Sequence, residues 1–149
     1  IQAVGGFVRE EPEQVGRLLR DGIIDIAQLH GGEDAAYVRV LRRLTDRPIL
    51  QAFRVDSAAD VAAAQKSEAD MILLDAGAGG TGTAFGWMLL RDIRRPYFLA
   101  GGLHPGNVRE AVERLSPYAV DVSSGIETDG WKDADKMEAF MRTVRRERA

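Results

Sequence analysis

Six short apolar runs recur every 22 to 26 residues along this chain, and each is followed by a stretch with the charge pattern of a helix. The runs cover residues 2–8, 24–29, 48–53, 71–75, 97–100 and 119–123. Their shortness and apolar character suit parallel strands covered on both faces. Strand-helix alternation fits either a doubly wound sheet or a (β/α) barrel, so the beat alone does not choose between them. A barrel of eight units takes about 250 residues, whereas this chain has 149. Six units is therefore the expected count, in a single incomplete barrel domain over residues 1–149. The chain opens on Ile1, inside a strand-like run and without Met, which is read as a partial sequence.

Charge and composition narrow the function. A net charge of −3 gives no footprint for nucleic acid or an anionic membrane. No apolar run approaches the roughly 18 to 20 residues of a spanning helix, so a cytoplasmic protein is the expectation. With no cysteine, disulfides and thiolate metal sites are excluded. Two isolated histidines, His30 and His104, offer little to zinc.

Helix signals sit between the runs. Acids and Pro12 open the first helix, Asp34 precedes Tyr37, Val38, Leu41 and Leu44 at helical spacing, and residues 57–65 form a short alanine-rich helix. Residues 76–83 are glycine-rich and read as a loop before a helix holding Phe85, Trp87 and Leu90. Residues 105–115 and 133–148 form the last two helices. The arginines closing the final one, from Arg142 to Arg148, are most simply cations at a helix C-terminus.

The chemistry gathers at three consecutive strand ends, and these are C-terminal ends, where parallel α/β folds keep their sites. Asp75 terminates an apolar run, and burial beside such residues penalises a carboxylate's charge, favouring a proton donor. A lone aspartate there also serves as an ordinary cap. Gly79, Gly80, Thr81 and Gly82 offer bare amides and one hydroxyl without a nucleotide P-loop pattern. The fifth run ends in Ala100, Gly101, Gly102 and Leu103 beside a helix start, an arrangement that suits an anion. The sixth continues through Asp121, Val122, Ser123, Ser124 and Gly125. In barrels with phosphorylated substrates the phosphate often lies in the loops after strands seven and eight. On that rule the last two runs are strands seven and eight, and the first is strand three.

In this order and spacing, the segments resemble the phosphoribosylanthranilate isomerases of tryptophan biosynthesis. The similarity runs from Val4-Gly5-Gly6-Phe7-Val8 and Gln28-Leu29-His30-Gly31 through Leu73-Leu74-Asp75 and Gly79-Gly80-Thr81-Gly82 with Trp87. It continues through Ala100-Gly101-Gly102-Leu103 with Pro105 and Asn107 to Asp121-Val122-Ser123-Ser124-Gly125-Ile126-Glu127 with Gly130, Lys132 and Asp133. The resemblance implies an α/β fold, a (β/α)8 TIM barrel, represented here by six units corresponding to strands 3–8. It implies an Amadori rearrangement interconverting an aldose and a ketose, without metal or organic cofactor, on a small phosphosugar, with no nucleic acid or membrane partner. A general acid opens the furanose ring to a Schiff base, and a general base takes the C2′ proton. Asp75 matches the general acid. Gly101, Gly102, Ser124 and Gly125 match the phosphate cradle, and Asp121 lies where the family contacts sugar hydroxyls. His30 and Gly80 are candidate substrate-facing residues.

The family's base is a cysteine on strand one, and an arginine after strand two helps hold the anthranilate carboxylate. Neither has a counterpart in this sequence, so the chain alone is expected to be inactive. Its open strand edges are expected to take up the missing units or other copies. Gln51 stands where the family often has lysine, and Gly86 where aspartate commonly precedes the tryptophan. Two alternatives stay open. One is another phosphosugar barrel, although neither the lysine and glutamate of an indole-glycerol-phosphate synthase nor the metal-binding histidines of a pentose-phosphate epimerase are present. The other is a non-catalytic, phosphate-binding remnant.

Overall fold

The computed structural model describes residues 1–77 and 84–146. Six parallel strands form one sheet: β1 (Val4–Phe7), β2 (Ile26–Leu29), β3 (Ile49–Arg54), β4 (Met71–Asp75), β5 (Tyr97–Ala100) and β6 (Ala119–Val120). Helices make the crossovers: α1 (Pro12–Arg20), α2 (Ala35–Leu44), α3 (Ala58–Gln65), α4 (Ala84–Leu89), extended by a 3-10 turn at Leu90–Asp92, and α5 (Val108–Leu115). A small antiparallel hairpin, β7 (Glu127–Thr128) with β8 (Trp131–Lys132), leads into α6 (Ala134–Arg146).

The strands neighbour one another in chain order, β1 to β6 without reversal. A doubly wound sheet reverses its strand order at a switch point, so the singly wound order selects the barrel topology. The sheet is also curled. His30, just after β2, and Asp121, just after β6, line one cleft. In a flat sheet strands four places apart would be about 19 Å apart, at roughly 4.8 Å per strand.

Register sorts the side chains into two faces. Ala52, Leu73, Phe98 and Ala119 are cross-strand partners in one row. Of these, Ala52, Leu73 and Phe98 pack the inner, concave face with Ile26, Leu50, Met71 and Ala100. The alternate row, Phe7, Leu29, Gln51, Ile72 and Tyr97, faces the helices. There Leu19, Leu29, Leu41, Ile49, Ile72, Leu74 and Leu99 are fully buried. Apolar residues on both faces explain why the strands read as continuous runs.

Local chemistry sets the helix starts. The Asp34 carboxylate accepts the Tyr37 N–H at 2.8 Å. Ser57 caps α3, while Asp60 answers by accepting the Ser57 hydroxyl at 2.8 Å, a reciprocal cap. Two departures from the sequence expectation bear on the site. β6 ends at Val120 rather than at residue 123, because the following residues turn into a 3-10 turn at Ser124–Ile126. α5 starts at Val108, three residues after Pro105. Asn107 is drawn back instead, accepting the His104 N–H at 2.8 Å and donating to the Gly102 carbonyl at 2.9 Å. The hairpin β7-β8 is an element beyond the sequence expectation.

Candidate active site

The C-terminal ends of the strands open into a cleft of about 280 Å³ lined by His30, Leu73, Asp75, Gly77, residues 100–103 and residues 121–125. Asp75, Gly101, Gly102, Asp121, Ser124, Gly125 and His30 are thus brought together. Gly80 and the loop around it lie outside the described residues.

Asp75 is the last residue of β4 and stands on the concave face, in register with Arg54 on one side and Ala100 on the other. It is half-buried, and Ile72, Leu73 and Leu74 just before it are buried. The Gly77 N–H donates to its Oδ1 at 3.1 Å. That bond uses Oδ1 as an acceptor.

Around this carboxyl only bare backbone fits. Gly101 has φ +96°, and a Cβ built on it would fall 2.3 Å from Asp75 Oδ1 and 2.3 Å from the Gly77 nitrogen. Gly102 follows with φ +62°. Successive positive φ values are open to glycine at little cost. Gly125 is pressed against the neighbouring loop, where a Cβ would lie 1.8 Å from the Leu103 carbonyl oxygen. The loops after β5 and β6 therefore meet backbone to backbone, leaving peptide groups as the lining of one side of the cleft. Peptide N–H groups in such loops bind anions.

Other residues frame this centre. His30 is exposed at the cleft rim, its N–H held by the Phe7 carbonyl at 2.8 Å. His104 is exposed, and its Nδ1 accepts the Gly106 N–H at 3.1 Å. Gln51 faces the helices, not the cleft: it is buried and donates to the Glu33 carbonyl at 2.6 Å. The glutamine therefore serves hydrogen bonds on the side of the sheet turned away from the cleft. Glu33, which the sequence reading passed over, ties two strand ends together. Its carboxylate accepts the Arg9 N–H at 2.7 Å and the Gly31 N–H at 2.8 Å. Arg54, at the end of β3, is exposed and pairs with Asp56 at 2.9 Å. Among the described residues no group of three or more His, Asp or Glu side chains could hold a metal ion. No helix among them is long and apolar enough to cross a membrane.

A singly wound, parallel α/β half-barrel with a carboxyl group and two glycine loops at its strand ends has the architecture of a TIM-barrel-like enzyme. The sequence model for N-(5'phosphoribosyl)anthranilate (PRA) isomerase matches residues 1–143, and the chain belongs to that isomerase family. It is 42% identical over 149 residues to the N-(5'-phosphoribosyl)anthranilate isomerase of Endomicrobium trichonymphae, covering 97% of this chain and 73% of the relative. The crystal structure of the Thermotoga maritima phosphoribosyl anthranilate isomerase superposes with a TM-score of 0.83 at 35% identity, over 97% of this chain and 73% of that one. A phosphoribosyl anthranilate isomerase solved with reduced 1-(o-carboxyphenylamino)-1-deoxyribulose 5-phosphate gives 0.81 at 34% identity, over 97% and 72%. The chain thus spans about three quarters of the length of these relatives.

Proposed function

We propose that this chain carries the acid and the phosphate cradle for isomerising N-(5'-phosphoribosyl)anthranilate to 1-(2-carboxyphenylamino)-1-deoxyribulose 5-phosphate, a cytoplasmic step of tryptophan biosynthesis. The observation that carries this reading is the convergence of Asp75 with Gly101, Gly102, Ser124 and Gly125 on one cleft. Asp75 protonates the furanose ring oxygen. The C1′–O bond then breaks as the anilino nitrogen's lone pair forms the Schiff base. Loss of the C2′ proton to a base gives the enol-amine, which tautomerises to the aminoketose. Through all of this the phosphate stays in the two glycine loops, and Asp121 takes the sugar hydroxyls. His30 borders the substrate from the opposite rim.

The six strands correspond to strands three to eight of the family's barrel, in a single domain. The resemblance assigns the base to a cysteine, and the 149 residues contain none. The 149-residue polypeptide by itself therefore lacks turnover and needs a strand-and-helix segment to supply the base. Two features support a docking place for such a segment. β1 and β6 are the sheet's two edges, and beside β6 an apolar cleft of about 390 Å³ is lined by Val120, Val122, Met137, Phe140, Met141 and Val144. Unfilled, such edges recruit further copies of the same chain.

Complementation of a tryptophan auxotroph lacking this isomerase tests the reading. The 149-residue chain should fail to support growth. The same chain joined to the first two strand-helix units of a relative should restore it, and failure of the joined protein, expressed and folded, would refute the assignment.

A further inference from the structure

The hairpin β7-β8 belongs to none of the steps above, yet it is built onto the back of the loop after β6. Asp129 at φ +52° and Gly130 at φ +82° form its turn, with both central residues at positive φ as a tight two-residue hairpin loop requires. The turn brings Lys132 opposite Glu127. The Lys132 Nζ donates to the Ser123 carbonyl at 2.9 Å, approaches the Ser123 Oγ at 3.5 Å, and pairs with Glu127 Oε1 at 2.6 Å. Lys136 donates to the Glu127 carbonyl at 2.6 Å, and Thr128 donates its hydroxyl to Asp133 Oδ2 at 2.6 Å. The Asp133 N–H in turn donates to the Ile126 carbonyl at 2.9 Å. The hairpin is thereby fastened to the start of α6 and is a firm anchor for whatever it holds.

What it holds is one peptide plane. The Ser123 carbonyl accepts from Lys132 and, at 3.4 Å, from the Ile126 N–H, so it is turned toward the hairpin. No peptide bond in the described chain is cis. In a planar trans peptide the carbonyl and the following N–H point in opposite directions, so the Ser124 N–H is sent the other way, toward the cleft that Ser123, Ser124 and Gly125 line. Were this plane to flip, a carbonyl oxygen would face an incoming anion in place of a donor.

We infer that Lys132 is a positioning residue for phosphate: its ammonium locks the Ser123–Ser124 peptide with the N–H facing the anion. This rests on the reading of the two glycine loops as a phosphate cradle. The tether outweighs the charge, because the Glu127 carboxylate at 2.6 Å offsets the lysine's field at longer range. Lys132 is not among the residues that line the cleft. Its side chain is about half-exposed, so its replacement leaves the core intact.

The experiment is a titration of the 149-residue chain with inorganic phosphate by calorimetry, with hydrogen exchange locating the bound anion. The wild type should bind and show protection in peptides covering residues 101–103 and 123–125. Lys132→Met should weaken binding about tenfold, the loss of one charge-assisted hydrogen bond's worth of positioning, and speed exchange at Ile126 in the free protein. Lys132→Arg, which keeps a donor within reach, should stay near wild type; Glu127→Gln, which removes the counter-charge and keeps the tether, should not bind more than about twofold tighter. Unchanged affinity in Lys132→Met overturns the inference. So does a large gain in Glu127→Gln, which would make Lys132 a simple charge. If Lys132→Met does not fold, Lys132→Gln carries the same comparison. A wild type that binds no phosphate overturns the cradle itself, and this inference with it.

Discussion

Gly101 leaves room for the Asp75 carboxyl and for nothing more: a single added carbon on Gly101 would sit 2.3 Å from Asp75 Oδ1. Asp75 and the loop after β5 are thus one packed unit, although they come from different strands and lie 26 residues apart. Gly101→Ala should cost roughly 1–3 kcal/mol of stability, because φ +96° is closed to alanine and the Gly77 backbone cannot withdraw freely. It should also weaken phosphate binding and displace Asp75. Urea unfolding and phosphate titration of the variant measure both effects.

Stability at alkaline pH should depend on Tyr97. Burial raises its phenol from 10.0 to about 12, and its hydroxyl donates to the Leu115 carbonyl at 3.1 Å. The folded chain therefore holds this proton more tightly than the unfolded one does. The contribution is complete below pH 10 and is lost as pH rises through the window from 10 to 12. Tyr37, also raised to about 12 chiefly by burial and further by Glu33 and its acidic neighbours, loses its share in the same window. Tyr97→Phe should flatten the fall of Tm over that range without abolishing it.

Ser116 ends α5 at φ +45°, ψ +49°, its N–H donating to the Val112 carbonyl at 2.9 Å. This left-handed cap costs a residue with a Cβ about 1 kcal/mol. Ser116→Gly should stabilise the chain by roughly 0.5–1 kcal/mol, read as a higher urea midpoint at unchanged slope.

The strands that could be read from sequence were those buried on both faces. β4 and β5 match their apolar runs residue for residue, because nothing but sheet accounts for Met71–Asp75 or Tyr97–Ala100. β6 was overextended, since Val122 is apolar for packing rather than pairing. The start of α5 was misjudged because Pro105 and Asn107 are helix-opening residues, yet here Asn107 spends its side chain on Gly102 and His104. The hairpin strands are two residues each, too short for alternation to appear, although Asp129-Gly130 was a legible turn signal. In the site, glycines and Asp75 announced themselves through position at strand ends. Glu33 did not, and Lys132 showed only as part of the family pattern, because their bonds go to backbone groups of other segments that only the folded arrangement brings within reach.

The most direct measurement is the turnover of phosphoribosylanthranilate by the chain joined to a relative's first two strand-helix units, with Asp75 intact and as Asp75→Asn. Asparagine keeps the Oδ1 acceptor for the Gly77 N–H and removes the acid. Asp75→Asn should lose about 10²–10⁴-fold in kcat, the usual contribution of general acid catalysis, with the affinity for reduced 1-(o-carboxyphenylamino)-1-deoxyribulose 5-phosphate nearly unchanged. Turnover within a few-fold of the parent would contradict the role of Asp75 as the acid.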